Sequence, residues 1–106
     1  LIDFIGADFT MKLLYIVTYD ITDDKRWRKV YKMMCGYGDH LQYSVFRCTL
    51  SDRDRIGLIE RLSKVIRHDL DQVLIFPLGP IDGNDAQRIV AVGLALAPPR
   101  QGALIV

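Results

Sequence analysis

The stretch Leu13-Leu14-Tyr15-Ile16-Val17-Thr18-Tyr19 is an unbroken run of aliphatic, aromatic and β-branched residues that ends at Asp20. A run of this kind is typical of a β-strand covered on both faces. An acidic group at the end of such a strand is held rigidly, and the basic stretch Lys25-Arg26-Trp27-Arg28-Lys29 follows closely. This corner is therefore the first candidate for metal or phosphate chemistry.

Size and composition indicate one soluble globular domain, since the 106 residues are 50% hydrophobic and 25% charged. A chain this short buries only roughly 60 to 70% of its unfolded surface, so pairing with a second copy would add stability. No run approaches the ~20 apolar residues that span a bilayer, and no basic signal region begins the chain. We expect a cytoplasmic protein that does not enter a membrane.

Three segments are predicted along the chain. Residues 1–10 precede Met11-Lys12 and are interpreted as an upstream extension or a cloning remnant. Residues 11–97 form the domain, and residues 98–106 form a tail that begins with two prolines and ends in an apolar run. That tail either docks in a groove or is a frayed terminus.

The first helix is predicted to begin near Thr22 or Asp23, because a short oxygen-bearing side chain there can cap it. Its apolar residues recur at helical spacing, and Gly36 or Gly38 ends it. The stripe consists of Trp27, Val30, Tyr31, Met34 and Cys35. Cys35 and Cys48 have no metal-ligand or C-x-x-C spacing, so we expect reduced thiols rather than a disulfide or a zinc site.

The opposite face of this helix is predicted to carry a ridge of basic side chains: Lys25, Arg28, Lys29 and Lys32. A net charge of +1 does not by itself indicate a nucleic-acid binder. A charged helix face is usually just a solvated one. The local excess of one sign nevertheless favours phosphate binding.

The remaining chain continues the alternation of strands and helices. His40 to Leu50 is one bent strand or two, with Leu41, Tyr43 and Val45 alternating against Gln42, Ser44 and Phe46. A helix is predicted from Ser51 or Asp52 to about Arg67, with an apolar stripe of Leu58, Ile59, Leu62, Val65 and Ile66. Strands follow from Gln72 to Leu78 and from about Arg88 to Leu96.

This order predicts an α+β, ferredoxin-like β-α-β-β-α-β fold with an extra C-terminal strand and both helices on one face of the sheet. The other face would lie bare unless a partner covered it. We therefore predict a homodimer in which two sheets stack face to face, with the late strand able to pair with the partner's sheet.

The chain resembles the family of small CRISPR-associated adaptation proteins, which partner the CRISPR integrase and are described as metal-dependent endonucleases. The motifs that carry the resemblance are Leu14-Tyr15-Ile16-Val17-Thr18-Tyr19-Asp20-Ile21, Lys25-Arg26-Trp27-Arg28-Lys29-Val30 and Gln42-Tyr43-Ser44-Val45-Phe46. The resemblance covers roughly residues 11–93. It implies a ferredoxin-like fold, a symmetric dimer, and Asp20 as metal ligand and catalytic residue.

The chemistry of Asp20 agrees with a role as metal ligand on the condition that two copies of the residue come together. Mg²⁺ takes oxygen ligands and usually one or two carboxylates, and Mn²⁺ is the alternative ion. One aspartate per chain is too few, whereas two copies of Asp20 brought together by a two-fold axis could hold one ion. The alternative is that Asp20 only caps the loop into the first helix.

Other residues are assigned supporting roles. The nucleic-acid contacts are predicted to come from Lys25, Arg26, Arg28, Lys29 and Lys32. Tyr19 and Phe46 support the site or are core aromatics, and for Phe46 we favour packing or a dimer contact. Ser44 is expected to bend the strand or to touch phosphate. Nothing in the sequence places it beside His40 or His68 in a nucleophilic triad.

Three functional hypotheses remain open. The first is a Mg²⁺-dependent phosphodiesterase that cuts RNA or DNA at Asp20 of a dimer, in spacer acquisition and antiviral defence. The second is a non-catalytic scaffold that binds double-stranded DNA for the CRISPR integrase. The third is a toxin-like ribonuclease or a small-molecule regulatory domain on the same fold.

Overall fold

The computed structural model describes residues 11–81 and 88–96, so the predicted segments 1–10 and 98–106 lie outside the described residues. Four strands and two helices follow in the predicted β-α-β-β-α-β order. They are β1 (Lys12–Asp20), α1 (Asp24–Cys35), β2 (Gly38–Gln42), β3 (Val45–Ser51), α2 (Asp52–Val65) and β4 (Gln72–Pro80).

The strands form one antiparallel sheet in the order β2-β3-β1-β4. The long apolar run at the start of the chain is thus an inner strand, with Tyr15 opposite Cys48 on one side and Pro77 on the other. One core joins the sheet to both helices, which therefore share a face. Its buried members include Tyr15, Val17 and Tyr19 from β1, Val30 and Met34 from α1, and Leu58 and Leu62 from α2.

The second face of β1 is covered unevenly, and this corrects the prediction of a strand buried on both faces. Leu14 is buried, Ile16 and Thr18 are half-buried, and Asp20 is exposed. On the neighbouring strand β4, Leu74 and Phe76 stand opposite Thr18 and Ile16 and remain 42% and 47% exposed. The second face of the sheet therefore presents a partly apolar surface. Along β1, the side chains on this face become more exposed toward Asp20.

Both helices begin where their capping residues predict. Asp23 is the N-cap of α1, and its carboxylate accepts a hydrogen bond from the Arg26 amide at 2.9 Å. Ser51 is the N-cap of α2, and its hydroxyl accepts from the Asp54 amide at 3.1 Å. α1 ends at Cys35 with Gly36 as C-cap, whereas α2 ends at Val65, two residues before the predicted Arg67.

The segment His40 to Leu50 holds two strands separated by a turn at Tyr43 and Ser44. The predicted alternation across this whole segment is therefore wrong, because a turn resets which side chains face the core. After the turn, Phe46 is fully buried while Tyr43 is 74% exposed.

The predicted late strand does not form in the described chain. Residues 88–96 contain bends but no strand, and Val90, Val92 and Leu94 are 81%, 96% and 95% exposed. A strand exists only when a neighbouring backbone pairs with it, so an apolar β-prone segment without such a neighbour stays irregular.

Candidate functional site

Asp20 is the last residue of β1, where its backbone pairs with Gln72 of β4. The preceding residue, Tyr19, is buried in the core. Because neighbouring side chains of a strand point to opposite faces, Asp20 belongs to the second face, away from both helices. Its exposed carboxylate lies at the end of β1 where the partly apolar surface is most exposed.

The loop that follows Asp20 is held by Asp71, whose side chain is fully buried. The carboxylate of Asp71 accepts hydrogen bonds from the Thr22 amide at 3.1 Å, the Thr22 hydroxyl at 3.2 Å and the Arg67 amide at 2.8 Å. It also accepts from Nε of Arg26 at 2.8 Å. Asp71 therefore fixes the loop beside Asp20, the first turn of α1 and the start of β4 relative to one another.

The surroundings of Asp71 favour its charged form. The hydrogen bond from the Arg26 guanidinium is the largest cause, and it holds the pKa of this carboxyl well below its ordinary value. Asp71 was not among the predicted site residues. The sequence did hold a signal, since an aspartate stands directly before the apolar strand that begins at Gln72.

Arg26 has a different setting from the other predicted basic contacts. Its guanidinium is paired with Asp71, and this hydrogen bond raises the pKa of Arg26. The remaining members of the predicted set project to solvent from α1: Lys25, Arg28, Lys29 and Lys32. The ridge predicted on this helix face is therefore exposed, while Arg26 already has an internal partner.

Tyr19 and Phe46 are core residues. Phe46 is fully buried within one chain, which supports its role in packing rather than in a dimer contact. The ring of Tyr19 lies 6.2 Å from that of Phe46 and 6.1 Å from that of Trp27. The Tyr19 hydroxyl is buried without a hydrogen-bond partner among the described residues, and burial raises its pKa.

Ser44 holds the turn between β2 and β3 against the end of β1. Its hydroxyl accepts a hydrogen bond from Nε1 of Trp27 at 3.1 Å, and its carbonyl accepts from the Tyr19 amide at 3.1 Å. The two histidine rings contact backbone carbonyls, His40 at Tyr43 and His68 at Ser63. These contacts give Ser44 a structural role and do not form a nucleophilic triad.

The described residues contain no group of three or more His, Cys, Asp or Glu side chains that could hold a metal ion. Cys35 and Cys48 form no disulfide within the described residues, and burial raises the pKa of the Cys48 thiol to about 12. Asp20 offers the hard oxygen donors that Mg²⁺ and Mn²⁺ accept, but one carboxylate by itself does not make a site for either ion. In the described part of the chain, no helix is both long and apolar enough to cross a membrane.

Comparison with known proteins bears on this arrangement. The family model for CRISPR associated protein Cas2 matches residues 11–85. The CRISPR-associated endoribonuclease Cas2 of Geobacter sulfurreducens is 42% identical over 97 residues, covering 91% of this chain and 100% of that protein. A CRISPR-associated endoribonuclease Cas2 of Rhodospirillum rubrum is 40% identical over 92 residues, covering 87% of this chain and 89% of that protein.

Solved structures share the fold. The crystal structure of Streptococcus pyogenes Cas2 superposes with a TM-score of 0.66 at 27% identity, covering 76% of this chain and 100% of that one. A hypothetical protein from Thermus thermophilus gives a TM-score of 0.66 at 32% identity, covering 84% and 99%. The family resemblance drawn from the sequence motifs is thereby confirmed, as is the ferredoxin-like four-stranded sheet. This chain belongs to the CRISPR-associated Cas2 family.

Proposed function

We propose that this protein is a divalent-metal-dependent endoribonuclease that works as a homodimer in CRISPR spacer acquisition and antiviral defence. One observation carries the proposal: an exposed aspartate ends an inner strand of a Cas2-type sheet, on the face that neither of the two described helices covers. Relatives about 40% identical over most of the chain are named endoribonucleases. We infer the same reaction here, the hydrolysis of a phosphodiester bond in RNA.

Asp20 of each copy is the proposed metal ligand and catalytic residue. One carboxylate does not make a Mg²⁺ or Mn²⁺ site, so the proposal needs a second copy of Asp20 from the partner. When bound, the ion would polarise the scissile phosphate and lower the pKa of a coordinated water. The chain itself contributes the rigid placement of Asp20, through strand pairing with Gln72 and through the loop that Asp71 holds.

The proposed dimer stacks the two sheets face to face. Its support is the surface formed by Leu74 and Phe76 beside Asp20, because exposed apolar side chains grouped on one sheet face are unusual in a monomer. A second support is the exposed segment 88–96, whose apolar residues have no pairing strand within the described part of one chain. We propose that this segment pairs with the sheet of the partner.

The proposed RNA contacts come from the exposed side chains of α1, which are Lys25, Arg28, Lys29 and Lys32. Lysine and arginine on one helix face bind a phosphate backbone without regard to its sequence. We leave Arg26 out of this set because its guanidinium is engaged with Asp71.

The second candidate is a DNA-binding scaffold without catalysis, in which the CRISPR integrase subunit carries out strand transfer. The exposed cationic face of α1 favours it, because such a face also suits the closely spaced phosphates of double-stranded DNA. A scaffold function needs neither Asp20 nor a metal ion, so substitution of Asp20 distinguishes the two candidate functions.

The test incubates the purified protein with single-stranded RNA and with duplex DNA, in Mg²⁺ and in EDTA. We expect RNA cleavage in Mg²⁺ only, and Asp20→Asn should lower it by at least about 100-fold, since several kcal/mol of transition-state stabilisation are removed. Asp24→Asn is the matched control, because it makes the same chemical change at an exposed residue of the first turn of α1. Cleavage that persists in Asp20→Asn contradicts the proposal, and salt-sensitive DNA binding without any cleavage favours the scaffold.

A further inference from the structure

We propose that the ring of Tyr43 is a platform on which one unpaired base of single-stranded RNA stacks. The inference rests on the proposed function and extends it, because it names the substrate as single-stranded where it meets the turn between β2 and β3. It assigns a base-binding role to a residue that forms no part of the proposed metal site.

Three aromatic rings form a stack along the side of α1. The ring of Tyr43 lies 4.9 Å from that of Trp27 with an interplanar angle of 27°. The ring of Trp27 lies in turn 5.4 Å from that of Tyr31 with an angle of 10°. Tyr43 is the ring at the exposed end of the stack. Of this residue, 74% is exposed although one side of the ring is stacked on Trp27. A ring supported on one side and open to solvent on the other is what a nucleic-acid base needs for stacking.

The platform is held in place before any ligand arrives. The Trp27 indole donates to the Ser44 hydroxyl at 3.1 Å, and the Tyr19 amide donates to the Ser44 carbonyl at 3.1 Å. The carbonyl of Tyr43 itself lies 3.0 Å from Nε2 of His40. These contacts fix the Trp27 indole and the backbone of the turn, and the Tyr43 ring stacks on that fixed indole. The ring therefore loses little conformational entropy when a base stacks on it, which favours binding.

The platform and the proposed cleavage site occupy the same end of the sheet. The hydrogen bond between Tyr19 and Ser44 joins the turn to the residue that directly precedes Asp20. Tyr43 stands on the helix side of the sheet and Asp20 on the opposite side. An RNA strand that crosses this end of the sheet can therefore meet both side chains.

Two members of the basic ridge of α1 lie nearer the ring stack round the helix than the other two do. Arg28 and Lys32 follow Trp27 and Tyr31 by one residue each, so they lie about 100° further round the helix. Both are exposed. The phosphates that adjoin a base on Tyr43 could therefore reach positive charges on the neighbouring face of α1. A duplex offers the same phosphates but no free base, since its bases are already paired and stacked.

The test measures binding in EDTA, so that cleavage does not interfere, with a short labelled single-stranded RNA and a duplex DNA of equal length. We expect Tyr43→Ala to weaken RNA binding roughly 5- to 100-fold and duplex binding less than about twofold. Tyr43→Phe keeps the ring and should bind RNA like the wild type. Lys29→Ala serves as the comparison, since loss of a phosphate contact should weaken binding to both nucleic acids.

An RNA series that carries one abasic nucleotide at successive positions locates the stacked base. At one position, loss of the base should weaken wild-type binding as much as Tyr43→Ala does, and the two changes together should add nothing further. Additive losses at every position would contradict a contact between Tyr43 and a base.

The outcomes separate this inference from the proposed function. Equal losses on RNA and duplex, no loss at all, or a loss in Tyr43→Phe equal to that in Tyr43→Ala each overturn the platform. If the wild type fails to cleave RNA in Mg²⁺ while Tyr43→Ala still weakens RNA binding selectively, the nuclease proposal fails and the platform stands.

Discussion

Two aspartates at one end of the sheet have opposite surroundings. Asp20 is exposed at the end of β1, whereas Asp71 is fully buried and accepts hydrogen bonds from Thr22, Arg26 and Arg67. We interpret the first as the reactive carboxylate and the second as the group that positions it. Substituting each should therefore have different effects, on cleavage for Asp20 and on folding for Asp71.

We expect Asp71→Ala to lower the free energy of unfolding by roughly 3 kcal/mol, because it leaves the Arg26 guanidinium and two backbone amides without their acceptor. Urea denaturation at pH 7 measures this loss. Asp69→Ala is the control, since Asp69 pairs with Arg67 at the exposed surface and should change stability by less than about 1 kcal/mol. Equal effects of the two substitutions would contradict the role given to Asp71.

The same carboxylate predicts how stability depends on pH. The pKa of Asp71 is lowered in the folded protein from its ordinary value of 3.8, chiefly by the hydrogen bond from Arg26. Its contribution is therefore complete above about pH 4 and falls as the pH drops toward the folded-state pKa. Unfolding measured between pH 7 and pH 3 should show a stability loss below about pH 4 that is smaller in Asp71→Asn.

Among individual residues, the sequence predicts those that differ clearly from their neighbours in the chain. It does not predict residues whose role depends on contacts with distant parts of the chain. Asp20 could be found because it ends a long apolar run. Two of the partners of Asp71, Arg26 and Thr22, lie 45 and 49 residues away, so no local pattern shows them. The same holds for Arg26, which looked like one more member of a basic run.

Among the elements, the helices follow most directly from the sequence. The apolar spacing and the capping residues placed α1 within a residue or two, and α2 differs only in ending two residues earlier. The division between β2 and β3 was left open. The turn at Tyr43 and Ser44 contains neither glycine nor proline, and its hydrogen bonds come from Trp27 and Tyr19 on other elements.

Two glycines give a matched prediction about elements. Gly57 lies inside α2 and a Cβ there would meet nothing within 4 Å, so Gly57→Ala should stabilise the protein by about 0.5–1 kcal/mol. A Cβ on Gly38 would collide with the carbonyl oxygen of Arg47 and lie 2.6 Å from Sγ of Cys48. Gly38→Ala should therefore destabilise by roughly 2 kcal/mol.

Thermal unfolding of these two variants checks the packing of β2 on β3. The melting temperature should rise in Gly57→Ala and fall in Gly38→Ala. A neutral Gly38→Ala would mean that β2 is not packed this closely on β3.

For the whole molecule, the order of elements was enough to predict the ferredoxin-like sheet, since few topologies accommodate it. The extra strand is predicted from an apolar stretch that follows a polar turn, and it is absent from residues 88–96 of the single chain. Composition shows that a segment can form a strand, but a strand also requires a backbone to pair with. The homodimer therefore remains a prediction.

We expect Phe76→Glu to weaken self-association roughly tenfold or more, because it places a charge in the centre of the proposed interface. Cleavage should fall with the dimer fraction, because the proposed metal site needs Asp20 from both copies. Sedimentation velocity measures self-association, and an RNA cleavage assay measures activity. Ile56→Glu is the control, since Ile56 is similarly exposed at 45% but lies on α2. A monomeric wild type, or cleavage unaffected by Phe76→Glu, would count against the dimer.

Within the described residues, β4 is an edge strand of the sheet and carries Pro77 and Pro80. Proline has no amide hydrogen to donate, so another strand cannot pair fully along the C-terminal half of β4. Leu74 and Phe76 would otherwise make it a template on which further copies add one after another. The two prolines thus allow a limited contact near Gln72 while they disfavour open-ended polymerisation into fibrils.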